Sequence, residues 1–186
     1  MGGMPMDIHE FTEGERETLI DEAFKGMGIE RKHLSREDLE KEIIGYLGKT
    51  QPCSLATCGK DGVPRIAVTD YVNEGLIMYI FSEGGDKFKN LKENNKVAIG
   101  IGTSAKTVRS VRGVNIWGSA EVFTEDTPEF AHGMKLFKPI LREQEKEVGF
   151  PIELPKGTVR MIKVTPTKIV YHHNNKGIAN AHWEVQ

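Results

Sequence analysis

The chain has 186 residues, 38% of them hydrophobic, enough for one domain with its own core and too few for two full ones. A formal net charge of -2 carries no polycationic signal, so nucleic acid and anionic membrane are not expected partners. No apolar run approaches the roughly 20 residues that span a bilayer, and the start lacks a basic region followed by an apolar stretch, so a cytoplasmic protein is expected.

Residues 1–34 read as a helical extension. After a Gly/Met/Pro start, Leu19, Ile20, Ala23, Phe24 and Met27 recur at helical spacing, and Gly28 ends the pattern. A second helix begins at Ser35, a good N-cap with Asp38 three residues on; it carries Leu39, Ile43, Ile44 and Leu47 to a stop at Gly48. Six strands follow, over 54–58, 64–73, 75–82, 96–101, 111–123 and 158–172. The turns Lys60-Asp61-Gly62 and Asn73-Glu74-Gly75 are short enough for antiparallel hairpins, whereas a doubly wound parallel sheet needs longer crossovers. Between the last two strands, Thr127-Pro128 opens a helix in which Phe130, Met134, Phe137 and Leu141 share a face, and Pro139 is expected to break or kink it. The order predicts a closed or nearly closed antiparallel barrel with helices packed outside. The barrel domain spans 35–175 and a tail spans 176–186.

Several motifs fail on context. Gly48-Lys49-Thr50 imitates the end of a phosphate loop, but it closes a helix where such a loop must open one. Gly100, Gly102 and Ala105 imitate a dinucleotide fingerprint without the helix that must follow. Cys53 and Cys58, five residues apart on one strand, point to opposite faces and neither bridge nor chelate together. The six histidines show no zinc spacing, so no metal site is expected; a single axial imidazole for haem stays open among His172, His173 and His182.

One corner survives. Lys87 falls in the first turn of a helix, where a cation is unfavourable against the helix dipole unless an anion sits nearby. Gly84 and Gly85 let the preceding backbone turn its amides toward such an anion, while Asp86 as N-cap would compete with it. Arg65 opens a strand on which Ala67 and Thr69 share its face and leave room for a flat ring.

From about Ser35 to Tyr171 the parts come in the order of a known family. They are the leading helix, Gly62-Val63-Pro64, the Arg65 strand, Phe81-Ser82, Lys87 before Asn90-Leu91, and Trp117-Gly118-Ser119-Ala120-Glu121. The chain resembles the pyridoxamine 5'-phosphate oxidase-like, FMN-binding split barrels. The resemblance implies a mainly β fold, a six-stranded antiparallel split β-barrel of FMN-binding type with flanking helices and an N-terminal helical extension. It implies FMN as cofactor, with F420 or haem as alternatives, held by Arg65, Ile66, Ala67, Val68 and Thr69, by Phe81 and Ser82, and by Lys87. It further implies a homodimer with paired sites at the interface, to which Arg112 and Trp117 contribute from the other subunit.

Departures from the family matter too. Asp70 stands where the true oxidases end this strand with Lys, Gly113 replaces a flavin-contacting Gln, and Tyr171-His172-His173-Asn174 replaces their Arg-Leu-His motif. Vitamin B6 oxidation is therefore not expected. The resemblance implies a flavin-dependent oxidoreductase acting on an unidentified small molecule; a haem protein using His173 and a non-catalytic flavin carrier are the competing readings. No catalytic acid or base is assigned, although Asp70, Tyr71 and Arg112 lie within reach.

Overall fold

The computed structural model describes residues 11–49, 52–152, 154 and 156–186. The Gly/Met/Pro start and Thr50 of the Gly48-Lys49-Thr50 motif lie outside them. Helices α1 (Glu13–Gly26) and α2 (Arg36–Leu47) come first, followed by strands β1 (Cys53–Cys58), β2 (Pro64–Thr69), β3 (Val72–Glu74) and β4 (Ile77–Ser82). Then come α3 (Asp86–Glu93), β5 (Lys96–Gly102), β6 (Arg112–Phe123), α4 (Pro128–Val148), β7 (Arg160–His173) and β8 (Ile178–Glu184).

All pairings are antiparallel, in the order β2-β1-β5-β6-β7-β4-β3, with β8 also on β7. The sheet thus has eight strands where six were expected. Val72–Glu74 pairs with β4 as a strand of its own, and residues 178–184, read as tail, form a ladder with β7. β7 serves two partners on one side: its first half pairs with β4 and its second half with β8, so the sheet splits there as it curls. The strands at the two ends of that order, β2 and β3, are consecutive in the chain, joined only through Asp70 and Tyr71; β8 pairs with β7 alone. Tyr71 is fully buried and its hydroxyl donates to the Leu47 carbonyl at 2.9 Å.

Alternation along the strands places the core. On β1, Cys53, Leu55 and Thr57 are buried and the intervening residues are half-exposed, as a sheet with one covered face requires. The inner face carries Leu55, Ile99, Ile116, Ile162 and Tyr171, and α2 closes it with Leu39, Ile43 and Leu47. Each such side chain contributes about 1.5–3 kcal/mol on burial. A second cluster lies on the outer face of β4 and β7, where Phe137 of α4 meets Tyr79 and Met161. Gly133 makes that approach possible, since a Cβ there would meet the Met161 side chain at 2.7 Å. Pro139 does not end α4: it lies on the exposed side, where the carbonyl it deprives of a partner faces water.

α1 starts with a capping box between Thr12 and Glu15, yet buries only Phe24. What holds the extension is the segment after it. The Lys32 N–H donates to the Gly177 carbonyl at 2.8 Å, the Arg109 guanidinium donates to the Met27 carbonyl, and Arg31 pairs with Glu17 and Asp21. Gly177, at φ 75°, lies so close beneath this segment that a Cβ would strike the Glu30 carbonyl oxygen.

Candidate functional site

The β1–β2 hairpin and the start of α3 meet at one end of the curled sheet. Thr57 stands opposite Arg65 in register, and the buried Asn90 of α3 ties them together, donating to Thr57 Oγ1 at 3.0 Å and accepting from the Arg65 guanidinium at 3.3 Å. Two buried polar side chains facing each other at a helix–sheet contact satisfy one another, which a lone one could not do. The hairpin turn supplies the counter-charge: Asp61 accepts from Arg65 at 2.7 and 3.3 Å and from the Val63 N–H at 3.0 Å. Arg65 foremost, with that N–H, holds the Asp61 carboxyl below its ordinary range.

α3 begins at Gly85, whose φ of 105° turns the chain into the helix, and no side chain caps its first amides. The expectation that Asp86 fills this role fails. Asp86 is already inside the helix, its carboxylate drawn to Lys89 at 3.0 Å, which lowers its pKa. Lys87 donates to the Gly84 carbonyl and lies 5.2 Å from the centre of the Phe88 ring, while Arg160 lies over the same ring at 5.2 Å. Burial pushes the Lys87 ammonium pKa down, and among the described residues no carboxylate pairs with it. The start of α3, the Arg65 guanidinium held by Asp61 and the Lys87 ammonium border one hollow, with the Asp86 carboxylate beside them.

That hollow measures about 480 Å³ and is lined by Thr57, Arg65, Ile66, Ala67, Gly85, Asp86 and Lys87. Of the ten residues expected at the site it gathers Arg65, Ile66, Ala67 and Lys87. Thr69, half-buried, lies further along β2. Ser82, at the end of β4 opposite Arg160, does not line the hollow, and Phe81 is packed edge-on against Phe137 at 4.7 Å. Val68 and Trp117 lie on the outer face of the sheet, 70% and 42% exposed.

The outer face forms a continuous patch. In register, Ile66, Ala56, Ala98 and Trp117 make one row, and Val68, Ser54, Gly100 and Asn115 the next. Ile66 is 71% exposed; small residues in the middle strands leave the face flat and apolar. Arg112 is elsewhere. It sits on the inner side at the far end of β6, opposite His173, with its Nε donating to Thr103 Oγ1 at 2.9 Å, and opens into a different cavity under α2.

Sequence reasoning missed the hold of Asp61 on Arg65, the bridging role of Asn90 and the presence of Arg160. A buried Asn in a helix otherwise rich in lysine was the one legible signal among them. Among the described residues no group of three or more His, Cys, Asp or Glu side chains is placed to hold a metal, and no helix is long and apolar enough to cross a membrane.

A curled antiparallel sheet that splits at one long strand, with Arg65 and Lys87 gathered where its first hairpin meets a helix N-terminus, defines a split-barrel protein. The chain belongs to the pyridoxamine 5'-phosphate oxidase family, whose model matches residues 39–173. No curated protein matches it at a significant level. Among solved structures, General Stress Protein 26 from Bacillus anthracis superposes with a TM-score of 0.58 at 16% identity, covering 79% of this chain and 98% of that one. The heme storage protein HutZ from Vibrio cholerae gives 0.55 at 17%, over 69% and 89%. An FAD-binding protein from Mesorhizobium loti gives 0.53 at 14%, over 69% and 90%. At these identities the likeness is one of fold.

Proposed function

We propose that this chain binds flavin mononucleotide by its phosphate at the Arg65–Lys87 corner and works as a flavin-dependent oxidoreductase on a small molecule. The observation that carries the reading is the conjunction of uncapped α3 amides with two cations on one hollow, which fits a phosphate dianion better than a neutral ligand. Family membership and an FAD-binding fold relative support a flavin over other phosphates. When bound, the flavin supplies hydride and electron transfer. The chain's own part is to grip and orient: Arg65 and Lys87 hold the anion, Asn90 fixes the height of Arg65 over β1, and the small side chain of Ala67 keeps the hollow open. Asp61 holds the Arg65 fork and must share it with the incoming phosphate.

The reading includes a homodimer formed through the outer face of β1, β2, β5 and β6, supported by the exposed Ile66, Val68 and Trp117 on a flat apolar surface. Arg112 is not part of this reading, because it opens under α2.

Titration with FMN and riboflavin tests the phosphate corner. FMN should bind at least about tenfold more tightly, the worth of one charge-assisted hydrogen bond. Equal affinity for the two, or an intense Soret band in the purified protein in place of flavin absorption, overturns the reading.

A further inference from the structure

The cavity under α2 lies at the opposite end of the sheet from the Arg65 hollow. The Thr57–Arg65 and Thr57–Val97 pairs mark one end, and the Gly102–Gly113 and Arg112–His173 pairs the other. It measures about 640 Å³, within the range of small-molecule sites.

Its charges are only partly matched. Of the four cations lining it, Lys176 is paired with Glu42 at 2.5 Å and Lys41 with Glu37 at 2.8 Å. Arg112 and Lys49 have no carboxylate partner among the described residues. Arg112 is exposed but held in place. Its Nε is bound to Thr103 Oγ1 at 2.9 Å, which fixes the plane of the guanidinium and leaves its two terminal nitrogens free to form a fork. Beside it stand aromatic rings in tilted and edge-on contact, Tyr46 to Tyr171 at 5.6 Å and Tyr171 to His173 at 6.5 Å between centres. His173 Nδ1 is buried with no hydrogen-bond partner among the described residues, which buried polar atoms seldom lack. Burial, with Lys176 and Arg112 nearby, lowers the pKa of this imidazole, so the ring is a neutral hydrogen-bonding group more than a further charge.

We propose that this cavity is a second binding site, for a small aromatic anion. Its carboxylate or phosphate group takes the Arg112 fork, and its ring lies against Tyr171 and His173. Asp38 and Glu42 on the same rim exclude a polyanion and limit the ligand to one anionic group. The site stands apart from the flavin reading and does not depend on it.

Benzoate and phenyl phosphate, with benzamide as the neutral control, are titrated into the isotope-labelled full chain and followed by the His173 ring resonances and by calorimetry. At least one anion should bind saturably below about 10 mM and shift His173, with benzamide inert; which anion binds more tightly names the acid group. Arg112→Gln should weaken that binding by about tenfold or more, as should Lys49→Gln to a smaller degree, while Arg65→Gln at the other end leaves it unchanged. Absence of saturable binding by either anion, equal binding of benzamide, or a loss that follows Arg65→Gln instead of Arg112→Gln overturns the proposal.

Discussion

Lys87→Gln separates a binding role from a structural one by moving two quantities differently. In the ligand-free chain Lys87 gains a hydrogen bond to the Gly84 carbonyl and a cation–π contact with Phe88, but its charge sits in the first turn of α3 and is partly desolvated. The contacts are worth about 1 kcal/mol between them and the dipole penalty about 0.3–1 kcal/mol, so the terms nearly cancel. Stability should therefore change by less than about 1 kcal/mol. Binding does not cancel. A lost charged hydrogen bond to phosphate costs about 1.5–3 kcal/mol, and partial exposure of the lysine favours the low end, close to a tenfold rise in Kd. Flavin fluorescence quenching measures Kd, and thermal unfolding of the flavin-free chain measures stability. Repeating the titration at high salt should weaken the native chain more than the variant. An unchanged Kd, or a loss of stability as large as the loss of affinity, refutes the assignment of Lys87 to the anion.

Asp61→Asn should tighten FMN binding by releasing the Arg65 fork, and the gain should vanish in the Arg65→Gln background; a weaker complex by the same titration would make Asp61 an organiser of the corner. Ile66→Glu should turn a dimer into a monomer by light scattering, and an unchanged mass would place the interface elsewhere. Gly177→Ala forces a non-glycine residue to positive φ, costing about 1–2 kcal/mol, and drives a Cβ into the Glu30 backbone. Its unfolding midpoint should fall and amides of 29–32 should exchange faster; native-like exchange would refute the clamp. Cys53, whose thiol burial pushes up to about 12, should resist alkylation in the native state while Cys58 reacts. Because the folded thiol keeps its proton above the unfolded pKa, its stabilisation is complete below about pH 9 and fades between pH 9 and 12, which urea titrations across that window should register.

The sheet was legible where alternation and tight turns coincide. Val97, Ile99 and Ile101 recur at period two, and the Lys60-Asp61-Gly62 turn leaves no room for a crossover. β8 was not, because it buries only Ile178 and Trp183 firmly and passes through Asn180 at positive φ, which breaks the pattern. β3 was absorbed into its neighbour, since only Asp70 and Tyr71 separate it from β2. At the corner, residue types picked out Arg65 and Lys87, because their charge is unusual where it stands. The partners that set their availability were hidden. Asp61 lies in a turn where Asp needs no other explanation, and Asp86 fits an N-cap until Gly85 is seen to occupy that position. Arg112 was read with Trp117 from the family resemblance, but an odd separation along one strand turns the two to opposite faces.

The junction at Asp70–Tyr71 gives the sheet a clasp. The strands at the two ends of the pairing order are also two that the chain visits back to back, so the seam is bridged by covalent bonds, with no ladder hydrogen bonds across it among the described residues. Spreading it must draw the Tyr71 ring out of the interior and break its tether to the end of α2. Shortening that phenol to Phe would remove the hydrogen bond to Leu47 while leaving the ring in the interior.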